Sequence, residues 1–256
     1  MTAPKQLTRQ DKATVAYHTL DAQGDGANLP GIVFLGGFRS DMNGTKATWL
    51  ESWAAERGRA FLRFDYSGHG ESEGDFLDGC IGDWADDAFD AIDALTRGPQ
   101  VLVGSSMGGW IALLLSKRMP EKVAALVGIA AAPDFTEDSM WQAFDRDQRS
   151  DLVSEGSIAL PSDYSDEPYI ITRRLIEDGR ANLVLRSPLV LPFPLRLLQG
   201  TADLDVDTSV ALRLLDHVEC ADARLILVKG ADHRFSEPGE LTLIGKTLHG
   251  VSRSIA

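Results

Sequence analysis

Six short runs of apolar residues recur along the chain, and most of them end at a glycine or at a group of polar residues. Apolar positions follow one another within each run with little polar alternation. This pattern predicts strands that are covered on both faces, as in a parallel sheet. The six runs are Ile32–Leu35, Ala60–Tyr66, Val101–Val103, Val123–Ala132, Leu195–Leu198 and Arg224–Val228.

Helical periodicity fills the segments between these runs. In segment 81–97, apolar residues such as Trp84, Ala88 and Ile92 recur every three or four positions, and aspartates occupy the opposite side. Such spacing is typical of an amphipathic helix that lies on a sheet. The alternation of strands and helices predicts a doubly wound, mostly parallel α/β sheet with right-handed crossovers. Further helices are predicted at 107–119, at 208–219 and around Trp49.

Segment 134–187 interrupts this alternation, because it is long, acidic and irregular in pattern. A loop of that length without structure is uncommon inside a domain. We therefore expect a small helical insertion, a lid, in a core formed by residues 1–133 and 188–256. Its aromatic residues either line a pocket or form the insertion's own core, and we favour the core. These residues are Trp141, Phe144, Tyr164 and Tyr169.

The charge balance disfavours several classes of partner. With 25 Lys and Arg residues against 38 Asp and Glu residues, the formal net charge is −13. An excess of negative charge repels nucleic-acid phosphates and anionic lipid surfaces, so we expect neither as a partner. No apolar stretch approaches the roughly 18 residues that a membrane-spanning helix needs.

The two cysteines, Cys80 and Cys220, lie far apart and offer neither a disulfide framework nor a metal-ligand cluster. We expect no metal and no organic cofactor. The first twelve residues are polar and lack the apolar centre of a secretory signal. These features predict a cytoplasmic protein.

The sharpest chemical signal is the sequence Gly104-Ser105-Ser106-Met107-Gly108, which matches the pattern G-x-S-x-G. A predicted strand precedes it and a predicted helix follows, the context in which this motif places a nucleophilic serine on a tight turn. Small residues are needed two positions to either side of the nucleophile. That requirement selects Ser106, because Ser105 would have Val103 and Met107 at those positions.

A serine hydroxyl near neutral pH needs a general base. His233 follows the last apolar run and so falls at the carboxyl end of a predicted strand, where open α/β sheets place their sites. Of the other four histidines, only His69, in a glycine-rich turn, competes with it as the base. We therefore predict His233 as the base.

The acid that orients the histidine should lie between the serine and the histidine in chain order. Asp203 and Asp205 both qualify, since both follow the strand that ends near Gly200. We prefer Asp203, the closer of the two to the strand end. The alternative role for the aspartates of this loop is capping the next helix, which Asp207 does well.

Two backbone amides should stabilise the oxyanion that forms during acyl transfer. One is the N–H of Met107, the residue after the nucleophile. The other should come from the loop after the first core strand, Gly36 to Arg39, where glycines let the backbone approach a substrate closely. Within this loop we predict the N–H of Phe38.

Together these residues resemble the α/β-hydrolase family over nearly the whole chain except the insertion. The stretches 34–47 (FLGGFRSDMNGTKA) and 63–74 (RFDYSGHGESEG) are similar to a subgroup that includes palmitoyl-protein thioesterases and acyl-glucuronide esterases. The resemblance implies the triad Ser106, Asp203 and His233. It also implies hydrolysis of esters or thioesters of apolar acyl groups, carried by small molecules or acylated proteins.

Other functions on the same residues stay open at this point. The triad also serves carbon–carbon bond hydrolases and perhydrolases. A protein that keeps the fold as a non-catalytic ligand receptor is a further alternative, although such a binder would need neither a triad nor oxyanion donors.

Overall fold

The computed structural model describes residues 3–160 and 168–255. Within these ranges the strands are β1 (Lys5–Arg9), β2 (Lys12–Leu20), β3 (Gly31–Leu35), β4 (Phe61–Phe64), β5 (Gln100–Ser105), β6 (Val123–Ile129), β7 (Ser157–Leu160), β8 (Tyr169–Thr172), β9 (Leu189–Val190), β10 (Leu195–Gly200), β11 (Val218–Glu219) and β12 (Ala223–Val228). The helices are α1 (Thr45–Ala55), α2 (Ile81–Leu95), α3 (Met107–Arg118), α4 (Arg146–Glu155), α5 (Arg173–Ala181), α6 (Thr208–His217) and α7 (Pro238–Ser254).

Eight strands form the central sheet in the order β1-β2-β4-β3-β5-β6-β10-β12. All neighbours from β4 to β12 run parallel. The six parallel strands are the six apolar runs of the sequence, which confirms the predicted sheet. Strands β1 and β2 were not predicted. They form an antiparallel hairpin at one edge, where β2 also pairs antiparallel with β4.

The five inner apolar runs lack polar alternation because helices cover both faces of the sheet there, whereas Ile226 and Leu227 of the edge strand β12 are exposed. In β5, Val101 and Val103 belong to a buried cluster with residues of α1 and α7. The intervening Leu102 belongs to a second cluster with residues of α2 and α3. Successive side chains of a strand point to opposite faces, so each apolar residue of the run enters one of two cores.

Helix α2 follows the predicted amphipathic pattern with one exception. Its apolar stripe is buried, with Trp84 at 0% exposure. Asp87 is also buried although it belongs to the acidic side of the helix. Its carboxylate accepts hydrogen bonds from the Ser67 amide at 2.7 Å and hydroxyl at 2.6 Å, and it pairs with Arg9 at 2.5 Å. These partners compensate the cost of burying the charge.

The insertion contains helices α4 and α5, as expected, and also an antiparallel pair, β7 and β8, that was not predicted. The fully buried carboxylate of Asp134 joins its two ends, accepting from the amides of Val184 at 2.8 Å and Leu185 at 3.0 Å. Burial raises the pKa of Asp134, while these amides and Arg186 oppose that rise. The insertion therefore has a closed, hydrogen-bonded base.

Apolar residues of the insertion share one buried cluster with the core. Leu152 of α4, Ile158 of β7 and Leu175 of α5 pack in the same cluster as residues of α2 and α3. The packing between core and insertion is therefore continuous. The predicted division of the chain into a core (1–133 and 188–256) and an insertion (134–187) stays a prediction.

Candidate active site

Ser106 occupies the turn between β5 and α3. Its backbone has φ +54° and ψ −118°, outside the regions that residues with a side chain normally adopt. The turn is held by main-chain hydrogen bonds, since the Ser106 amide donates to the Ile129 carbonyl at 2.9 Å and its carbonyl accepts from Ala132 at 3.1 Å. Backbone strain of this kind persists only where the surrounding structure enforces it, as here.

The two glycines of the motif are required by close packing of the backbone. A Cβ atom at Gly104 would lie 2.3 Å from the carbonyl oxygen of Gly108. A Cβ atom at Gly108 would lie 2.0 Å from the carbonyl oxygen of Leu35, at the end of β3. Helix α3 therefore begins in direct contact with β3, and Ser106 lies beside the loop that follows β3.

Replacing Gly108 with alanine should destabilise the protein by about 1–3 kcal/mol, because the added methyl group overlaps a backbone atom that cannot rotate away. Gly250 of α7 is the matched control, because nothing lies within 4 Å of its Cβ position. Alanine at position 250 should raise the free energy of unfolding by about 0.5–1 kcal/mol, the usual preference for alanine over glycine inside a helix. Urea unfolding measures both changes, and a Gly108→Ala variant as stable as the parent would contradict the packing argument.

The structure brings the three predicted triad residues together. The Nε2 atom of His233 lies 3.1 Å from the Oγ atom of Ser106. On the other side of the ring, Nδ1 lies 2.9 Å from Oδ2 and 3.1 Å from Oδ1 of Asp203. A carboxylate at Nδ1 fixes the proton on that nitrogen, so Nε2 faces the serine with its lone pair.

Asp203 differs from Asp205 in its surroundings. The Asp203 side chain is fully buried, and it accepts hydrogen bonds from Gln199 Nε2 at 2.9 Å and from the Val206 amide at 2.8 Å. Burial alone would raise the pKa of Asp203, but the hydrogen bonds from His233, Val206 and Gln199 outweigh it and hold the pKa below its ordinary value. Asp205, by contrast, is exposed.

Gln199 was not singled out in the sequence, although it lies next to the carboxyl end of β10, the strand before Asp203. It is 1% exposed, and its amide nitrogen donates to Asp203 and to the Val206 carbonyl at 3.0 Å. A polar residue near the carboxyl end of a largely apolar strand was the available signal.

The loop after β3 runs alongside Ser106. A Cβ atom at Gly37 would lie 3.4 Å from the Cβ of Ser106, which puts the backbone preceding Phe38 against the candidate nucleophile. A turn follows in which the Ser40 amide donates to the Gly37 carbonyl at 3.2 Å. Arg39 in this turn has φ +56°, in the left-handed region. Met107, the other predicted donor, is the first residue of α3.

His69, the competing candidate for the base, is not at the serine. It is 4% exposed and surrounded by the rings of Tyr66, Phe76 and Trp84. Its Nδ1 lies 3.2 Å from the Ser67 carbonyl oxygen, and its Nε2 accepts from the Arg39 amide at 3.3 Å. Burial lowers the pKa of His69 to about 4, so the ring is neutral near pH 7.

A cavity of about 670 Å³ opens over Ser106 and His233. Its lining is mixed in character. The apolar side chains come from the loop after β3 and from the insertion, and they are Phe38, Phe135, Met140, Leu160, Tyr169 and Ile171. The polar and charged side chains include Arg39, Asp41, Thr45, Lys46, Arg234 and Ser236.

The aromatic residues predicted for the insertion's core have different positions. Phe144 is buried and packs edge-on against Trp141, 6.2 Å between ring centroids. Trp141 also lies under the guanidinium of Arg180. Tyr169 instead lines the cavity, and Arg39 lies 4.8 Å from the centre of its ring. Tyr164 lies outside the described residues.

Lys46 is a cavity residue that sequence reasoning missed. Burial lowers its pKa to about 8, although the carboxylates of Asp232 and Glu240 oppose this shift. Its ammonium donates to the carbonyl oxygen of Arg234, the residue after His233. Lys46 therefore ties α1 to the loop that carries the histidine. No motif in the sequence marks this role, since a lysine in the first turn of a helix is usually exposed.

Among the described residues, one group of potential metal ligands lies within mutual reach, namely Asp203, Asp205 and His233, whose ligand atoms lie within 4.8 Å of one another. The Asp203 oxygens already accept from three amide N–H groups and from the imidazole. This donor set suits a carboxylate that orients a histidine. No described helix combines the length and apolar character needed to cross a membrane.

Comparisons with known proteins agree with this fold. The pattern of the alpha/beta hydrolase family matches residues 32–242. The chain is 37% identical over 243 residues to human palmitoyl-protein thioesterase ABHD10, mitochondrial, covering 94% of this chain and 78% of the human protein. The structure matches mouse alpha/beta hydrolase domain-containing protein 10 with a TM-score of 0.91 and 34% identity, covering 100% of both chains.

A second solved structure is equally similar. A putative hydrolase from Agrobacterium vitis S4 matches with a TM-score of 0.91 and 38% identity over 98% of both chains. The resemblance drawn from the motifs around Phe38 and His69 is thereby confirmed. The chain belongs to the alpha/beta hydrolase family.

Proposed function

We propose that this protein hydrolyses carboxylic esters or thioesters of apolar acyl groups through an acyl-enzyme intermediate on Ser106. The observation that carries this proposal is the 3.1 Å distance between Ser106 Oγ and His233 Nε2, on a ring whose Nδ1 lies 2.9 Å from the buried Asp203 carboxylate. These are the distances that proton transfer from a serine to an oriented imidazole requires. The relatives named palmitoyl-protein thioesterase support the same reaction class.

The reaction has two acyl-transfer steps. Ser106 Oγ attacks the substrate carbonyl carbon while its proton passes to His233 Nε2. The imidazolium then returns that proton to the departing alcohol or thiol as the bond to the acyl carbon breaks. Water repeats the sequence, releases the carboxylic acid and restores the serine.

The amides of Met107 and Phe38 are proposed to hold the oxyanion in both steps. Met107 begins α3, where unpaired N–H groups and the helix dipole favour negative charge. Phe38 follows Gly37, whose backbone lies against Ser106. Donors placed in advance at the developing charge act without reorganisation during the reaction.

The apolar side chains that line the cavity support an apolar acyl group. Side chains such as Phe38, Met140 and Ile171 would contact a hydrocarbon chain, and each buried methylene contributes about 0.8 kcal/mol. Tyr169 and Phe135 extend this surface from the insertion. The insertion thus supplies much of the proposed acyl pocket.

Carbon–carbon bond hydrolysis, perhydrolysis and a non-catalytic receptor role remain the alternatives on this fold. A receptor would need neither the Ser106–His233 contact nor the buried Asp203. The absence of a cofactor or metal requirement stays a prediction. The matched mammalian relatives are named mitochondrial, and the cytoplasmic location expected from the sequence stays a prediction for this chain.

A matched substrate series tests the proposal. We expect turnover of p-nitrophenyl esters and of the corresponding acyl thioesters, with kcat/KM rising as the acyl chain grows from acetyl toward longer chains. The reason is that each added methylene becomes buried among apolar side chains. A flat or falling profile would contradict the acyl-pocket assignment, and no turnover of any member by a folded protein would contradict the reaction class.

A further inference from the structure

The turn that carries the proposed oxyanion donor contains a strained residue. Arg39 follows Phe38 and has φ +56°, a conformation that costs about 1 kcal/mol or more for a residue with a side chain. Hydrogen bonds of Ser40 to the Gly37 carbonyl, from its amide at 3.2 Å and its hydroxyl at 2.8 Å, close the turn from within. A turn of this kind needs further support to hold one geometry.

That support comes from the ring of His69, on a neighbouring loop. Its Nε2 accepts the Arg39 N–H at 3.3 Å. Its Nδ1 lies 3.2 Å from the carbonyl oxygen of Ser67, which can only accept. The proton must therefore be on Nδ1, and Nε2 offers a lone pair to the turn.

The ring of His69 is itself tightly held. Glycines flank it, and both have positive φ, +73° at Gly68 and +47° at Gly70. A Cβ atom at Gly70 would lie 2.1 Å from the Asp65 carboxylate. The Ser67 carbonyl also accepts from Trp84 Nε1 at 3.1 Å. The backbone of residues 67–70 and its contacts therefore fix the orientation of the His69 ring.

The same aromatic cluster holds the Phe38 side chain. Its ring packs edge-on against Phe76 at 4.9 Å and Trp84 at 5.9 Å between centroids. His69 packs against these two rings at 5.0 and 5.1 Å. One cluster therefore supports both the Phe38 side chain and the histidine that binds the next amide.

We infer that His69 is a positioning residue for catalysis, which holds the Gly37–Ser40 turn so that the Phe38 N–H points at the oxyanion. This inference rests on the proposed function, because it assigns the Phe38 amide a role in acyl transfer. His69 does not touch the substrate or exchange protons with it.

A matched pair of substitutions separates the hydrogen bond from the packing. Glutamine and methionine have similar length, but only glutamine offers a carboxamide that can accept from Arg39 N–H and donate to the Ser67 carbonyl. We expect His69→Met to lower kcat roughly 10- to 100-fold with little change in KM, because a misplaced donor weakens the transition state more than the ground state. His69→Gln should retain at least ten times the kcat of His69→Met at similar Tm.

A second readout reports the oxyanion directly. An alkyl trifluoromethyl ketone adds the serine oxygen to its carbonyl carbon and leaves a tetrahedral oxyanion, whereas a carboxylic acid product of the same chain length does not. His69→Met should weaken inhibition by the ketone by the same factor as it lowers kcat/KM and leave inhibition by the acid unchanged. A purely structural role for His69 would weaken both inhibitors together.

Two further variants provide the controls. His69→Phe fills the ring site without an acceptor; it replaces His69→Met as the test if His69→Met does not fold, and it should show the same loss of kcat. Val251→Ala removes apolar packing in the other buried cluster, away from the Gly37–Ser40 turn, so it should lower Tm while kcat stays within about threefold of the parent.

The outcomes for the two proposals are distinguishable. A His69→Met or His69→Phe enzyme with kcat within twofold of the parent would overturn the positioning role alone, as would a glutamine variant no better than methionine. Failure of the proposed function would appear instead in the parent protein, as an absence of turnover on the ester and thioester series.

Discussion

Replacing Ser106 with alanine is expected to lower kcat on a p-nitrophenyl ester by roughly six orders of magnitude, the loss seen when a triad serine is removed. The substitution removes the oxygen atom that lies 3.1 Å from His233 Nε2 and attacks the substrate carbonyl in the proposed mechanism. Steady-state rates, with an active-site titration to exclude contaminating parent enzyme, measure the loss. KM should change little, because the cavity walls stay in place.

Ser105 is the matched control, since it is the neighbouring serine of the same motif but lies in β5 and is buried. Ser105→Ala should keep activity within about tenfold of the parent, because His233 Nε2 contacts Ser106 Oγ and the proposed mechanism gives the Ser105 hydroxyl no step. A fluorophosphonate probe should label the parent and Ser105→Ala but not Ser106→Ala. Labelling or substantial turnover of Ser106→Ala would refute the assignment of the nucleophile.

Asp203→Asn is expected to lower kcat by about 10⁴-fold, as the corresponding change does in a serine protease triad. An asparagine amide can donate to His233 Nδ1, and that would move the ring proton to Nε2, where it can no longer accept from Ser106. Asp205→Asn is the comparison, and its effect should stay below tenfold because the Asp205 carboxylate is exposed, whereas the buried Asp203 carboxylate lies 2.9 Å from His233 Nδ1.

Stability must be measured beside these rates. The Asp203 oxygen that faces His233 also accepts from Gln199 Nε2 at 2.9 Å, and the NH2 group of an asparagine there would oppose that donor, so Asp203→Asn should lower Tm as well as kcat. A folded Asp203→Asn enzyme with near-normal kcat, or a greater loss in Asp205→Asn, would move the acid two residues along the loop.

The parallel part of the sheet could be predicted from the sequence because burial on both faces leaves a direct signature. In β5, Val101, Leu102 and Val103 all have to be apolar, since they enter two different cores. The β1–β2 hairpin lacks that signature. Residues of β2 such as Thr19 are only partly buried at the sheet edge, so polar residues are tolerated and no apolar run appears.

The tight turn at Ser106 could be predicted because its constraints are local. Gly104 and Gly108 are fixed by contacts within the same turn and with the next strand, and these contacts appear in the sequence as a short pattern. The choice between Asp203 and Asp205 is not local in this way. It depends on which carboxylate turns inward beneath residue 233, thirty residues later in the chain, and sequence spacing alone does not carry that orientation.

His69 illustrates a third situation. The sequence correctly marks it as unusual, with glycines on both sides, but a base and a buried hydrogen-bond acceptor produce the same local pattern. Only the position of its Nε2 against Arg39, 30 residues earlier in the chain, separates the two roles. Tyr169 is similar, because an aromatic residue in an insertion packs equally well into a core or along a cavity.

The buried carboxylate of Asp134 has a consequence for how specificity can change. Asp134 lies where the insertion begins, and its carboxylate accepts hydrogen bonds from the amides of Val184 and Leu185, where the insertion ends. The segment between these points therefore begins and ends at one place in the fold, and it packs in one buried cluster with residues of α2 and α3. A different segment joined to the same two endpoints and packed against the same helices would bring a new surface to the cavity and leave the turn at Ser106 unchanged, so acyl selectivity can change without any change in the residues proposed to react.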